Sequence, residues 1–158
     1  MVRPIAGSST QYEIVAGERR WQAAQLAGLT EIPAVVRQAT DQEAVAIALI
    51  ENIQREELTP TEEARALQRL IGEFSLTHSE VASAVSRSRA AVTNLLRLLD
   101  LPADVVAMID AKTISMGHAR ALLGLEADAE RSCAAKLIAE RGLSVRDTEA
   151  LVRKTVKG

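Results

Sequence analysis

The stretch of the chain that most constrains its fold is residues 76–99, where two short apolar-patterned segments are separated by a polar break. Thr77 and Glu80 form the pattern of a capping box, and apolar residues then recur at helical spacing. The apolar pattern stops at residues 86–88 and resumes over residues 92–99. This spacing predicts a helix, a tight turn and a second helix, as in a helix-turn-helix whose second helix enters the major groove of DNA.

The second helix of this motif carries a local positive charge. Between Val81 and Leu99 there are three arginines and no acidic residue. The turn of such motifs often holds a glycine, because one residue there takes a positive φ; here Ser86 has that place, and serine can instead cap the second helix. A plain pair of packed helices with solvated arginines is the alternative. The polar side chains expected to face outward are Arg87, Ser88, Arg89, Thr93, Asn94 and Arg97.

Composition narrows the possible functions. Aromatic residues make up only 2% of the chain, whereas apolar residues make up 47%, so we expect a helical core of small and aliphatic side chains. Proteins that bind single-stranded nucleic acid rely on stacking aromatics, so that class is disfavoured. The net charge of −2 gives no overall attraction to DNA, and a DNA contact must therefore come from a local patch.

The single cysteine, Cys133, excludes an intramolecular disulfide, suits a reducing cytoplasm, and is expected in the core. No apolar run is long enough to span a membrane.

The order of elements predicts a mainly α fold in two domains. Strands are expected over residues 12–16 and 32–36, with a helix over 18–27 between them, so residues 1–58 are interpreted as a small, partial α/β unit. Two or three short strands are marginal alone, and we expect further strands to precede this unit in a longer protein. Residues 59–158 are interpreted as an all-helical domain that contains the helix-turn-helix. Beyond that motif, helices are expected at about 103–111, 115–123, 127–141 and 144–155. Thr59 with Glu62 indicates the start of the first helix of this domain, Gly142 separates the last two helices, and Ser144 with Asp147 caps the final one.

Two further segments have residues suited to phosphate or metal binding. Residues 17–20, Gly-Glu-Arg-Arg, stand where a strand gives way to a helix, and a helix N-terminus with nearby arginines suits phosphate. Glu51 and Asn52 offer oxygen ligands suited to Mg²⁺, and Arg55 follows one helical turn later. A solvated first helical turn and a polar helix end are the alternative interpretations of these two segments.

The motifs together resemble a known family. GERRWQAAQLAGL, ENIQREELTPTEEA, the helix-turn-helix and ISMGHARALLGL occur in the order found in the ParB/Spo0J chromosome-partitioning family, and the resemblance covers nearly the whole chain. It implies binding of a short palindromic centromere-like site, parS, on double-stranded DNA. It also implies CTP and Mg²⁺ binding in the N-terminal domain, closure into a clamp that slides on DNA, and a partner ATPase, ParA.

The resemblance also implies roles for individual residues, none of them catalytic. Arg89 is the first candidate to read a guanine with two hydrogen bonds, while the other DNA-facing residues fix the register on phosphates. The implied DNA-binding residues are Arg87, Ser88, Arg89, Thr93, Asn94 and Arg97 with Gly117, His118 and Arg120. The implied nucleotide-binding residues are Gly17, Glu18, Arg19, Arg20 and Arg55, and the implied metal ligands are Glu51 and Asn52.

Three parts of the family pattern are missing from this sequence. They are the arginine-containing segment that recognises cytosine, the N-terminal tail that contacts ParA, and the C-terminal dimerisation domain. We therefore expect a truncated central region that binds one half-site per chain and does not itself bind CTP. The full-length protein is expected to be a homodimer and a slow CTP hydrolase in the bacterial cytoplasm, associated with the nucleoid and not with a membrane.

Two other function classes stay open at this stage. One is an enzyme on a ParB-like N-terminal scaffold, such as a small-molecule kinase or nuclease, although an attached basic recognition helix argues against it. The other is a transcription repressor of the KorB type, which would share the DNA-binding half. The joint presence of residues 17–20 and 51–55 favours a nucleotide-gated clamp over a simple repressor.

Overall fold

A computed structural model of the chain describes residues 1–5, 11–54 and 58–157. The chain divides into two compact units, Met1–Arg55 and Glu56–Gly158, close to the domain boundary expected after residue 58. Helices dominate the described residues, so the prediction of a mainly α fold with a small N-terminal α/β unit is confirmed.

The first unit is built on an antiparallel hairpin of β1 (Val2–Pro4) and β2 (Tyr12–Ile14). Arg3 of β1 links this hairpin to a later helix of the unit, which begins at Asp41. Its guanidinium lies 2.7 Å from Glu13 of β2 and 2.7 Å from Asp41. The side chain of Arg3 is 17% exposed, and its two ion pairs connect the hairpin to the start of the second helix of this unit.

The prediction of a strand over residues 32–36 is wrong. Among the described residues, this segment forms one parallel bridge, between Val36 and Val2, and no strand. The next bond of this parallel pairing would run from the N–H of residue 4 to the carbonyl of Arg37, and Pro4 has no N–H to donate, so the pairing does not extend along the segment.

Two helices complete the first unit, α1 (Glu18–Leu26) and α2 (Asp41–Ile53). Helix α2 begins with a capping box, in which Thr40 Oγ1 accepts from the N–H of Glu43 and the Glu43 carboxylate accepts from the N–H of Thr40.

The described part of the first unit buries few apolar side chains, namely Val15, Ala24 and Ile53. Many of its large apolar side chains are exposed instead. They are Ile5, Tyr12, Trp21, Leu26, Leu29, Ile32, Val35, Val36 and Val45.

The second unit consists of helices joined by short turns, and most begin at a capping residue. The Thr59–Glu62 and Thr77–Glu80 capping boxes predicted from sequence are both present. In chain order the elements are α3 (Pro60–Phe74), α4 (His78–Ala84), α5 (Arg89–Leu96), a 3-10 turn (Arg97–Asp100), α6 (Ala103–Asp110), α7 (Met116–Leu122), α8 (Asp128–Arg141) and α9 (Val145–Lys157).

The core of the second unit holds α3 against α4, α5 and α6, and α7 against α8 and α9. Cys133 is exposed, so its expected place in the core is wrong. Helix α8 buries Ala135 and Ile138, and Cys133 lies two residues from Ala135, on the other side of the helix. The large side chains that are fully buried are Leu67, Leu70, Val81, Val92, Leu98, Val105, Leu122, Ile138 and Thr148.

Helices α4 and α5 form the predicted helix-turn-helix, with one change at its C-terminal end. The sequence predicts a continuous second helix that buries Leu99. Helix α5 instead ends at Leu96 and tightens into the 3-10 turn, which has about three residues per turn. The tighter winding turns Leu98 into the core, while Leu99 is left partly exposed.

Candidate nucleic-acid interface

The turn between α4 and α5 sets where the second helix starts. Ser86 takes a φ of 56°, the left-handed conformation expected at this place, although it is not a glycine. The N–H of Arg87 donates to the carbonyl of Ala82 at 2.9 Å and closes the end of α4. The cap of α5 is Ser88, not Ser86: Ser88 Oγ accepts from the N–H of Ala91 at 3.1 Å.

The polar face of α5 combines exposed arginines with partly buried short side chains. Arg89 and Arg97 are exposed, and neither forms an ion pair with a described carboxylate. Thr93 and Asn94 are partly buried, and Thr93 Oγ1 lies 3.4 Å from Nδ1 of His78 on α4. The arginine side chains are therefore available to a ligand, whereas Thr93 is already held by the partner helix of the motif.

Arg87 is held by a carboxylate that the sequence analysis did not single out. Its Nε lies 2.7 Å from Oε1 of Glu63 on α3. Glu63 is only 8% exposed, while the guanidinium of Arg87 remains partly open to solvent. A sequence signal for Glu63 exists, because it lies four residues before Leu67 and so on the apolar face of α3, where a carboxylate is unusual.

Burial raises the pKa of the Glu63 carboxyl above its ordinary value, and the charge of Arg87 offsets only part of that rise. The folded state therefore holds this proton more tightly than the unfolded state does. The resulting stabilisation is fully present below the unfolded pKa and is lost as the pH rises through the folded pKa.

We therefore expect the stability of the unaltered protein to fall relative to Glu63→Gln as the pH rises from about 4, the ordinary pKa of a glutamate, through the raised pKa of Glu63 in the folded state. Glu43 and Glu80, whose pKa values are lowered by hydrogen bonds from Thr40 and Thr77, titrate alike in both proteins and cancel in the difference. Urea unfolding followed by circular dichroism at several pH values measures the free energies of unfolding. A difference that does not vary with pH would contradict the expectation.

The GHAR segment lies in the first turns of α7, and its histidine has a structural partner. The N–H of Ser115 donates to Nδ1 of His118 at 3.0 Å, and the two side chains are also 3.0 Å apart. This is a capping box with histidine in the place of the usual Glu or Gln. Nε2 of His118 is buried without a protein partner among the described residues. Arg120 is exposed.

Helix α7 lies against the 3-10 turn at the C-terminal end of the recognition helix, and a small concave surface lies between α7 and this segment. A cavity of about 130 Å³ lies between them. It is lined by Asn94, Leu98, Met116, Gly117, Arg120 and Leu123. The structure therefore brings Asn94, Gly117 and Arg120, which were predicted from two separate motifs, to one place.

Gly117 is required by the packing of α7 against α9. A Cβ at this position would lie 2.7 Å from Cγ2 and 3.2 Å from Cγ1 of Val145. The β-branched valine has little freedom to move aside. The glycine of this motif thus has a steric reason within the protein, independent of any ligand.

We expect Gly117→Ala to lower the free energy of unfolding by about 1–2 kcal/mol, because overpacking costs about 1–3 kcal/mol and the better helix propensity of alanine offsets up to about 1 kcal/mol. In a Val145→Ala background the clash disappears, and the same substitution should be neutral or stabilising. Urea unfolding of the four proteins of this double-mutant cycle measures both effects. An equal cost in the two backgrounds would show that Val145 is not the cause.

The predicted phosphate site lies at the start of α1. Gly17 precedes the helix with a φ of 97°, which favours glycine, and no side chain caps the first turn. A cavity of about 390 Å³ is lined by Gly17 and Arg20 together with Tyr12 and Trp21, among others. Helix N–H groups without a side-chain cap beside an arginine are suited to an anionic group.

The other described residues predicted for the nucleotide and the metal are absent from the lining of this cavity. Glu18 and Arg19 are exposed in the first turn of α1. Glu51 and Asn52 are partly buried on α2 and are absent from the described lining, and Arg55 lies outside the described residues. The described residues contain no cluster of three His, Cys, Asp or Glu side chains that could hold a metal ion. Mg²⁺ usually takes only one or two carboxylates and completes its shell with phosphate and water, so Glu51 still suits it chemically.

Arg131 of α8 is the other residue that the sequence analysis missed. It donates to the carbonyls of Leu125 and Asp100, both at 2.9 Å, and to Asp128 at 3.0 Å. No local sequence pattern predicts these hydrogen bonds, because two of the acceptors are backbone carbonyls in other segments.

No described helix is long and apolar enough to cross a membrane.

Fold and site together define a helix-turn-helix domain with a second basic helix beside the motif, joined to a small α/β unit. A family model described as the ParB HTH domain matches residues 56–157, and one described as the ParB N-terminal domain matches residues 1–53. The chain belongs to the ParB family.

Relatives at more than 50% identity are named as chromosome-partitioning proteins. The probable chromosome-partitioning protein ParB of Coxiella burnetii is 56% identical over 153 residues, which are 97% of this chain and 51% of that protein. The ParB of Myxococcus xanthus is 51% identical over 144 residues, which are 91% of this chain and 49% of that protein. This chain thus spans about half the length of these curated relatives.

Solved structures of the family resemble the fold closely. The C-terminally truncated ParB of Caulobacter crescentus, complexed to the centromeric parS site, matches with a TM-score of 0.90 and 43% identity, covering 97% of this chain and 80% of that one. A ParB DNA-binding domain complexed to parS matches with a TM-score of 0.62 and 41% identity, covering 70% of this chain and 88% of that one.

Proposed function

We propose that this chain is the DNA-reading part of a bacterial chromosome- or plasmid-partitioning protein, and that it binds a palindromic parS-type site with one chain on each half-site. The observation that carries the proposal is that one cavity brings Asn94 of α5 together with Arg120 of α7, while Arg89 and Arg97 at the two ends of α5 are exposed. The Caulobacter relative, with a TM-score of 0.90, was solved in complex with parS, which supports the same ligand here.

Within this interface Arg89 reads a guanine edge, and the remaining polar residues hold the DNA backbone. The backbone contacts come from Arg87, Ser88, Thr93, Asn94, Arg97 and Arg120. Gly117 and His118 act through the packing and capping of α7, which places Arg120.

The test is binding of the chain to a parS duplex and to a scrambled duplex of equal length across a salt series. With Arg87, Arg97 and Arg120 on phosphates, the slope of log K against log salt for one chain on a parS half-site should be about −2.7. Tight parS binding with weak scrambled binding supports the proposal. Equal and weak binding to both duplexes would mean that α5 does not read sequence.

For the full-length protein we propose that residues 17–20 contribute the phosphate end of a CTP site, with Glu51 and Asn52 on the Mg²⁺ ion and Arg55 nearby. The positive φ of Gly17, the uncapped first turn of α1 and the nearby Arg20 support a triphosphate contact. CTP with Mg²⁺ would supply the switch that gates a DNA clamp. Titration calorimetry of full-length protein with CTP and Mg²⁺ tests this.

Arg20→Ala separates the two activities. In the full-length protein it should weaken CTP binding, because it removes a charge from the proposed phosphate site. In the 158-residue chain it should leave parS affinity unchanged. A large loss of parS affinity in the chain would contradict this division of labour.

The remaining partners follow from the same proposal. The full-length protein acts on the nucleoid, is moved by a ParA ATPase, and dimerises through its C-terminal domain. Such a dimer link raises the affinity for the two half-sites together, because it makes the second binding event intramolecular.

A further inference from the structure

A buried carboxylate lies behind the turn of the helix-turn-helix. Glu63 stands in the first turn of α3, and its side chain is 11% exposed. Its Oε1 is 2.7 Å from Nε of Arg87 but accepts no well-aligned hydrogen bond from any described group. The contact is therefore an ion pair that holds Arg87 by its inner nitrogen.

The position of Arg87 in the chain places this ion pair close to the part of the recognition helix that is proposed to contact DNA bases. Arg87 comes directly before Ser88, the cap of α5, so it stands at the end of the helix where base contacts are made. A guanidinium has five N–H donors in a fixed fork, and pairing through Nε leaves the four on the two Nη atoms. No described residue accepts a hydrogen bond from those Nη atoms, and the side chain is 45% exposed.

On the basis of the proposed function, we infer that Glu63 is a positioning residue that sets the specificity of DNA binding through Arg87. It holds the guanidinium in one orientation, with the Nη groups presented to a phosphate beside the recognition helix. The arginine side chain loses its rotamer freedom on folding, so this entropy cost is not incurred on DNA binding. Because the guanidinium is held in one orientation, it contacts a phosphate well only in the one register in which α5 fits its site.

The charge of Glu63 acts in the same direction. A carboxylate near the DNA backbone repels phosphates unless Arg87 stays beside it, so loosely docked DNA gains little from this arginine. Without the carboxylate, Arg87 becomes a mobile cation that strengthens contact with any phosphate. Loss of the Glu63 charge should therefore bring parS and unrelated DNA closer in affinity.

The experiment compares Glu63→Gln with Glu62→Gln in the 158-residue chain. Both changes remove one negative charge from neighbouring positions of α3. Glu62 accepts from the N–H of Thr59 at 2.8 Å in the capping box, a role that glutamine also fills, and it has no described contact with Arg87. Affinities for parS and scrambled duplexes are measured at several salt concentrations, with circular dichroism to verify folding.

We expect Glu63→Gln to lower the ratio of parS affinity to scrambled affinity about tenfold, and Glu62→Gln to leave it within about twofold. An equal ratio in the two variants would overturn the inference. If the unaltered chain itself fails to discriminate, the proposed function fails instead, and the two failures are thus distinct.

Arg87→Lys tests the same inference without touching the buried carboxylate. Lysine keeps the charge but lacks the Nε donor and the planar fork, so it cannot be held by Glu63 with its other donors presented outward. The affinity ratio should fall as it does in Glu63→Gln. A full ratio in Arg87→Lys would mean that only the charge at this position matters, and would overturn the inference even if Glu63→Gln did not fold.

Discussion

Arg131→Ala should lower the free energy of unfolding by about 2–3 kcal/mol, because hydrogen bonds from a charged donor are worth about 1.5–3 kcal/mol each and the partly buried carbonyl of Leu125 is left without this donor, while the bonds to Asp100 and Asp128 are exposed and contribute less. The guanidinium reaches the carbonyl of Asp100, at the end of the 3-10 turn that follows α5, and the carbonyl of Leu125, just beyond α7. One side chain therefore fastens the ends of the two elements proposed to face DNA.

Lys136→Ala is the matched control for Arg131→Ala. Lys136 lies on the same helix and is exposed, so this change removes the same charge from α8 without removing those bonds. Urea unfolding followed by circular dichroism should show a loss within about 0.5 kcal/mol for Lys136→Ala. Similar losses in both variants would mean that only the charge of α8 matters and that the bonds to Asp100 and Leu125 contribute little.

The features that the sequence predicted well are those governed by nearby residues. Capping at Thr59, Thr77 and Ser144 depends on a side chain and a backbone group three residues apart, so it can be recognised from a few neighbouring residues of the sequence. The same holds for Gly142, which ends α8 with a φ of 59°. These signals fix helix starts and ends without any knowledge of tertiary contacts.

The features that the sequence did not predict depend on groups brought together by folding. The 3-10 turn at residues 97–100 follows from packing that buries Leu98, since the apolar pattern allowed a continuous helix equally well. The failed strand at residues 32–36 and the pairing of Arg87 with Glu63 have the same origin. An alternating apolar pattern or a charged side chain limits which structures and contacts a segment can form. The segments that pack against it in the folded chain determine which of these it forms.

In the candidate site, too, the sequence predicted the features that depend on nearby residues and missed those that depend on tertiary contacts. Sequence placed the arginines of α5 on an outward face, and Arg89 and Arg97 are indeed exposed. It could not separate Arg87, which is held by Glu63, from Arg89, which has no described ion-pair partner. The roles of these residues toward DNA stay predictions, and substitution of single arginines is the way to distinguish them.

Arg89→Ala should weaken parS binding by about 1–3 kcal/mol while leaving scrambled-duplex binding nearly unchanged, if Arg89 reads a guanine with two hydrogen bonds. Arg89 is the first residue of α5, and the N-terminal residues of a recognition helix are those that reach base edges. Its exposure and lack of a described carboxylate partner leave the whole fork available for a base. Competition binding with the two duplexes at one salt concentration measures both affinities.

Arg97→Ala is the matched control, because Arg97 is exposed at the opposite end of the same helix, where α5 passes into the 3-10 turn. A phosphate contact there carries no sequence information, so its loss should weaken parS and scrambled binding alike and make the salt slope less steep by about 1. If Arg89→Ala behaves in this second way, Arg89 holds the backbone and another side chain of the α5–α7 surface must read the bases. Asn94 would then be the next residue to substitute, because an amide can pair with both exposed atoms of an adenine edge in the major groove.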